Sequence, residues 1–116
     1  MMREDCIFCR IADLDIPAEL LHQDHLVVAF RDINPAAPVH ILLVPKKHIP
    51  DLLHLTDVDA AMLGRVFEIA ADLARKEGIA ESGFRVVVNT GAGAGQSVPH
   101  LHFHLLGGRP MAWPPG

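Results

Sequence analysis

Three histidines, His100, His102 and His104, alternate with Leu101, Phe103 and Leu105. In an extended chain alternate side chains share a face, so this spacing predicts an imidazole row on one side and an apolar row on the other. Neighbouring rings would stand about 6.6 Å apart along the strand. Two chemistries suit such a row. A His-x-His pair can ligate zinc, or one imidazole can attack an electrophile while its neighbours orient it. No Asp or Glu lies between Thr90 and Gly108, so a hard cation finds no local oxygen ligand there. The nucleophilic reading is favoured.

The segment ahead of the row, Thr90-Gly91-Ala92-Gly93-Ala94-Gly95-Gln96-Ser97, carries glycine at every second position. Such a loop lets an anion approach backbone N–H groups closely, and Gln96 and Ser97 add neutral donors. No Gly-Lys-Ser/Thr follows, so it is not a Walker loop, and a strand rather than a helix comes next. Alone it reads best as a flexible hairpin turn. Beside a nucleophile row it suits a phosphate of low charge, such as a monophosphate ester.

The elements that would carry these groups read in order. Cys6–Ile11 predicts a helical turn or two. Leu20–Gln23 is a weak strand, joined at Asp24-His25 to a stronger one over Leu26–Arg31. Residues 32–38 hold two prolines and form a loop, and His40–Val44 is a nearly continuous apolar strand. Residues 56–77 predict a long helix whose buried face is Leu63, Val66, Phe67, Ala70, Leu73 and Ala74, with Thr56 and Asp59 at its start and Gly78 at its end. Strands at Phe84–Asn89 and Leu101–Leu106 complete the chain, with the second packing Leu101, Phe103 and Leu105 under the helix. Connections this short favour antiparallel pairing. The expected class is α+β, with about five strands, one long helix and one short N-terminal helix.

Composition bounds the rest. With 116 residues, half of them hydrophobic, one domain over 1–116 is expected. A net charge of −4 and the lack of any Lys/Arg cluster argue against capture of nucleic acid. Two cysteines exclude a disulfide-rich scaffold, and no segment has the apolar length of a leader or a membrane span. A soluble cytoplasmic protein is expected.

The heptapeptide His100-Leu101-His102-Phe103-His104-Leu105-Leu106 resembles the signature of the histidine triad family. The likeness extends to Phe30–Pro35, to Pro38–Ile49 with its Pro45-Lys46-Lys47-His48, to Gly95–Val98 and to the tail Gly107–Gly116. It covers nearly the whole chain in collinear order and points to the nucleotide-binding Hint branch. The resemblance implies a homodimer that binds purine nucleoside monophosphates and hydrolyses the P–N bond of nucleoside phosphoramidates without a catalytic metal. It makes His102 the nucleophile, with His104, His100 and His40 orienting it and managing protons, and Ser97 near the leaving atom. Asp32 would hold the ribose hydroxyls. Phe8, Ile11, Phe30 and Ile33 would form the base slot, and Asn89 with the Gly95-Gln96-Ser97-Val98 backbone would hold sugar and phosphate. Without the resemblance, Asp32 reads as an ordinary loop cap.

Cys6 and Cys9 form a C-x-x-C pair that by itself reads as redox, zinc-binding or merely small and apolar. A βαβ context for redox chemistry is missing, and zinc needs two further ligands. The wider family offers a structural zinc site completed by His48 and His100, in which case His100 is a ligand rather than a proton manager. His22, His25 and His54 read as surface residues, and Lys46 and Lys47 as solvent-facing. Trp113 sits among prolines, and an indole there should lie against a surface. By resemblance the tail reaches the partner's active site. Two rival functions remain: a dinucleoside polyphosphate hydrolase or nucleotidyl transferase on the same triad, and a nucleotide-binding interaction module. The tail favours the phosphoramidase, and an intact His102 with Ser97 and His104 disfavours pure binding.

Overall fold

The computed structural model describes residues 5–116; Met1–Glu4, part of the stretch read above as lacking a leader's apolar run, lie outside the described residues. Strands β1 (Leu20–Gln23), β2 (Val27–Arg31), β3 (Val39–Pro45), β4 (Phe84–Val88) and β5 (Phe103–Gly107) form one antiparallel sheet in the order β1-β2-β3-β5-β4. Helix α1 (Ile7–Ala12) precedes the sheet, and α2 (Ala60–Lys76) crosses from β3 to β4. The expected α+β architecture is the one observed.

Alternation along the central strands supplies two buried faces. Val27, Ala29, Ile41, Leu43, Phe103 and Leu105 turn to one side and pack with α2 in the larger core. Val28, Phe30, Leu42 and Val44 turn to the other and pack with Cys6, Phe8, Cys9, Ile11 and Ala12 of the α1 region. The sheet is therefore covered on one face by the long helix and on part of the other by the short one.

A 3-10 turn over Asp57–Asp59 leads into α2, and the Thr56 N–H donates to Asp59 Oδ2 at 3.0 Å in the capping box that the sequence implies. Gly78, with φ at +74°, ends the helix in the left-handed conformation that glycine adopts at least cost. The buried stripe of α2 is rotated from the expected one: Met62, Val66, Ile69, Ala70, Leu73 and Ala74 are buried, while Phe67 is 51% exposed. Phe67 sits at the flank of the stripe, its ring edge-on to Phe103 at 5.9 Å, and Leu63 one turn before it is only half-buried. No helix among the described residues is long and apolar enough to cross a membrane.

Candidate active site

The candidate side chains gather on the face opposite α2. His40 and Leu42 of β3 share that face. In the β3–β5 ladder His40 lies opposite Leu106 and Leu42 opposite His104, so His40 and His104 are diagonal neighbours. Diagonal neighbours reach each other with long side chains, and His40 Nε2 stands 2.9 Å from His104 Nδ1. His102, just ahead of β5, packs its ring against His104 with centroids 5.0 Å apart.

Backbone partners assign the protons. The Ala36 N–H donates to His40 Nδ1 at 3.0 Å, so neutral His40 carries its hydrogen on Nε2 and donates it to His104 Nδ1. His104 is thereby left with its hydrogen on Nε2. The carbonyl oxygen of His100 lies 2.7 Å from His102 Nδ1, which must therefore be the protonated nitrogen. Nε2 of His102 keeps its lone pair. The result is a basic nitrogen on one ring beside an N–H donor on the next.

Asp32, immediately after β2, also reaches this group. One of its oxygens accepts from the Asn34 N–H at 2.8 Å, as in the expected loop cap, and the other stands 3.5 Å from His40 Nε2. The loop and strand that carry the histidines contain no acid; the sheet order brings one from the chain just after β2. Asp32, His40 and His104 have the donor types of a metal site. The Ala36 N–H argues against that use, since it occupies the lone pair of His40 Nδ1 and leaves a proton on the nitrogen that would have to ligate.

Burial outweighs the carboxylate. It pushes His40 and His102 below the ordinary histidine range despite the field of Asp32. His104 is lowered furthest, to about 4, by burial first and then by repulsion from the rings of His102 and His40. All three rings are consequently neutral at pH 7, and their charging opposes folding. Between pH 6.5 and 4 the unfolded chain binds a proton at His104 that the folded chain refuses, so stability falls as the pH is lowered. His104 alone should remove about 2 kcal/mol between pH 7 and 5. Denaturant unfolding at the two pH values, repeated on His104→Asn, tests this: the variant should show a pH dependence shallower by that amount.

Phe8, Ile11, Phe30, Asp32, Ile33 and Val98 line one cavity of about 490 Å³. Ile16, Ala18 and Leu42 line it too and were not anticipated. Alternation from His40 would have found Leu42, but Ile16 and Ala18 flank Pro17 in irregular chain where no period exists to point to them. Ile33 stands at the rim, 91% exposed, and the Phe8 ring is edge-on to His102 at 4.9 Å. Phe8 thus forms part of the cavity wall and also touches the His102 ring.

His100 departs from the predicted row. β5 begins only at Phe103; ahead of it the Leu101 N–H donates to the Ile49 carbonyl and the His100 N–H to that of Val98. Period-2 alternation therefore does not reach back to residue 100. The ring is fully buried and turns toward the cysteines instead. Its Nδ1 lies 3.2 Å from Cys6 Sγ, 3.4 Å from Cys9 Sγ and 3.1 Å from His48 Nδ1, and Cys9 Sγ is 3.2 Å from His48 Nδ1. Bond lengths of about 2.0–2.3 Å to a tetrahedral zinc give edges of roughly 3.3–3.8 Å, close to these separations. The His100 Nε2–H donates to the Pro45 carbonyl at 2.8 Å, which leaves Nδ1 bare toward the cysteines. The four residues form a group able to hold a metal ion.

The glycine loop is more self-contained than its composition suggests. The N–H groups of Ala94, Gly95 and Gln96 donate to carbonyls within the loop, and that of Gly91 donates to Gln96 Oε1. The Gln96 amide nitrogen donates to the carbonyls of Pro50 and Val98 at 2.7 and 3.1 Å. Gln96 is therefore a brace that sets the loop against residue 50 rather than a free donor. Ser97 is exposed beyond the brace, and Asn89 is half-buried at the end of β4. Lys47 and His54 are exposed as expected, Lys47 donating to the buried Asp59 at 2.9 Å and His54 pairing with Asp51, while His22 is half-buried against Asp24.

A family model described as the HIT domain matches residues 13–111. The chain belongs to the HIT domain family. It is 47% identical over 110 residues to the purine nucleoside phosphoramidase of Escherichia coli K12, covering 95% of this chain and 92% of that protein. An uncharacterised HIT-like protein of Synechocystis is 50% identical over 115 residues, covering 99% of this chain and all of the other. The HIT family hydrolase of Legionella pneumophila superposes with a TM-score of 0.93 at 49% identity, covering 96% and 99% of the two chains. The five-stranded sheet with its long and short helices is thus the HIT fold.

Proposed function

We propose that this HIT protein is a purine nucleotide-binding hydrolase that cleaves the P–N bond of nucleoside phosphoramidates. The observation that carries the reading is the bond from His102 Nδ1–H to the His100 carbonyl, because it leaves Nε2 as the free base of a neutral ring. The likeness to a purine nucleoside phosphoramidase supplies the substrate class. The base would lie in the apolar cavity between Phe8, Ile11, Phe30 and Ile33, with Asp32 accepting from the ribose hydroxyls at its rim. Asn89 and the Ser97–Val98 end of the Gly95–Val98 backbone would stand beside sugar and phosphate, since the Gly95 and Gln96 N–H groups are taken within the loop.

The His102 Nε2 lone pair forms a bond to the α-phosphorus as the P–N bond breaks, and the amine leaves carrying a proton taken up from solvent. Ser97 stands on the loop that would approach the leaving atom. The His104 Nε2–H can donate to a phosphoryl oxygen, while His40 holds the opposite nitrogen of His104 as acceptor. Water then attacks phosphorus and releases a proton to solvent, balancing the one the amine took. Cleavage of the N–P bond returns the lone pair to Nε2 and leaves His102 neutral with its hydrogen still on Nδ1. Each protein group that would touch the reacting phosphorus or its oxygens begins uncharged. An AMP–amine conjugate should be cleaved far faster than a diadenosine polyphosphate, whose bridging phosphates bring added negative charge to neutral donors. Equal turnover of the two would favour the dinucleoside polyphosphate reading, and AMP binding with no turnover of either would favour the binding module.

The Cys6, Cys9, His48 and His100 set fits a structural zinc, which would tie α1 to the ends of β3 and β5 and take no part in bond breaking. A homodimer completes the reading. β4 is a sheet edge with unpaired backbone on one side, and Phe84 at its start and Phe67 on α2 both expose apolar surface. Trp113, 82% exposed, does not pack on its own chain, although the tail is tethered where Arg85 donates to the Ala112 carbonyl. Light scattering should give twice the mass of one chain, and Phe67→Glu should halve it. A parent protein that runs as a monomer at micromolar concentration would remove the dimer.

A further inference from the structure

We propose that the Cys/His metal set and the nucleotide cavity are coupled through α1, so that zinc and nucleotide each tighten the binding of the other. The inference rests on the zinc and nucleotide readings above and adds a linkage that neither requires. α1 has six residues, too few to hold a helix unaided. Its terminal backbone bonds stay local, from the Asp13 N–H to Cys9, Leu14 to Ile11 and Asp15 to Arg10. It is fastened to the sheet by side chains of two kinds. Cys6, its N-cap, and Cys9 meet His48 and His100, while Phe8 and Ile11 pack among Val28, Phe30 and Leu42 and line the cavity.

The two sets interleave along a single turn and a half. A ligand bound by the cysteines holds α1 against the sheet, and that is the position in which Phe8 and Ile11 form a wall. A base bound against the same wall holds the cysteines near the two imidazoles. Phe8 sits at the junction, its ring 6.0 Å from His100, 4.9 Å from His102 and 5.8 Å from Phe30. His100 adds a second connection. Its ring belongs to the metal set, and its carbonyl accepts from His102 Nδ1–H, so fixing the ring also fixes the acceptor that orients His102. Both ligands favour the same docked α1, and linkage makes the effect reciprocal.

The test is equilibrium competition for zinc between the loaded protein and a chromophoric chelator, with and without saturating AMP under reducing conditions. AMP should raise the apparent zinc affinity at least about five-fold, within the usual range of coupling between sites. Calorimetry should show AMP affinity falling by the same factor once zinc is removed. In Phe8→Ala, again at saturating AMP, the factor should collapse toward one, since the metal ligands remain but the wall they position has lost its ring. The outcomes separate. Zinc and AMP that both bind, with zinc affinity unchanged by AMP, overturn the coupling and leave the two readings standing. An undiminished factor in Phe8→Ala overturns the α1 route. Protein that takes up no zinc, or loaded protein that fails to bind AMP, overturns the corresponding reading and this inference with it.

Discussion

His102→Ala should abolish turnover of an AMP–amine conjugate while AMP continues to bind. Loss of a covalent nucleophile from an otherwise intact site commonly costs on the order of 10⁴-fold or more in kcat. The substitution leaves the cavity walls at Phe30, Asp32 and Ile33 in place, and it removes at most one hydrogen bond to the phosphate. AMP affinity should therefore change by no more than about ten-fold. Rapid quench of the parent with radiolabelled substrate should trap label on protein, and tryptic mapping should place it on the peptide containing His102. Turnover that survives the substitution, or label recovered on a peptide lacking that residue, would mean that the His100 carbonyl orients His102 for some other purpose. A His104→Ala protein discriminates further. It keeps the nucleophile but loses the N–H donor, and a loss of about 10²-fold is expected.

Much of this site is legible in the sequence because strand alternation is a strict rule where a strand exists. His102 and His104 emerge from it, as do the apolar partners Phe103 and Leu105, whereas His40 enters only through the family resemblance. Alternation holds for His102, which abuts the ladder, and fails at His100, three residues before β5 begins at Phe103, where the chain turns to bond with Val98 and Ile49. What could not be read locally is what the sheet order assembles. Asp32 lies some 70 positions from the triad, yet the β2-β3-β5 adjacency brings it within 3.5 Å of His40. The stripe of α2 shows a different limit. Periodicity finds the apolar residues but not their rotation on the sheet, so Phe67 reads as core although half of it is exposed at the flank of the stripe. Gln96 is similar. Its amide is a donor by type, and only the fold reveals that Pro50 and Val98 already take it.

Loss of zinc should lower the melting temperature by about 15 °C. Free zinc at a thousand-fold excess over its dissociation constant stabilises the state that binds it by about 4 kcal/mol. For a chain of 116 residues each kcal/mol is worth about 4 °C near the midpoint. The effect is large here because the donors cannot retreat to water. Cys6, Cys9 and His100 are buried, and without an ion two Nδ1 atoms face each other at 3.1 Å in surroundings that admit little solvent. Cys9→Ser keeps the size and N-cap geometry of α1 nearly intact while removing the thiolate, so it isolates ligation from packing. Its melting curve should fall close to that of chelator-stripped parent, and added zinc should rescue the stripped parent but not the variant. A variant that melts with the parent would show that the four donors meet as ordinary core contacts. His100 would then owe its inward turn to the Pro45 carbonyl alone, and the orientation of His102 would have to be maintained without any help from a metal.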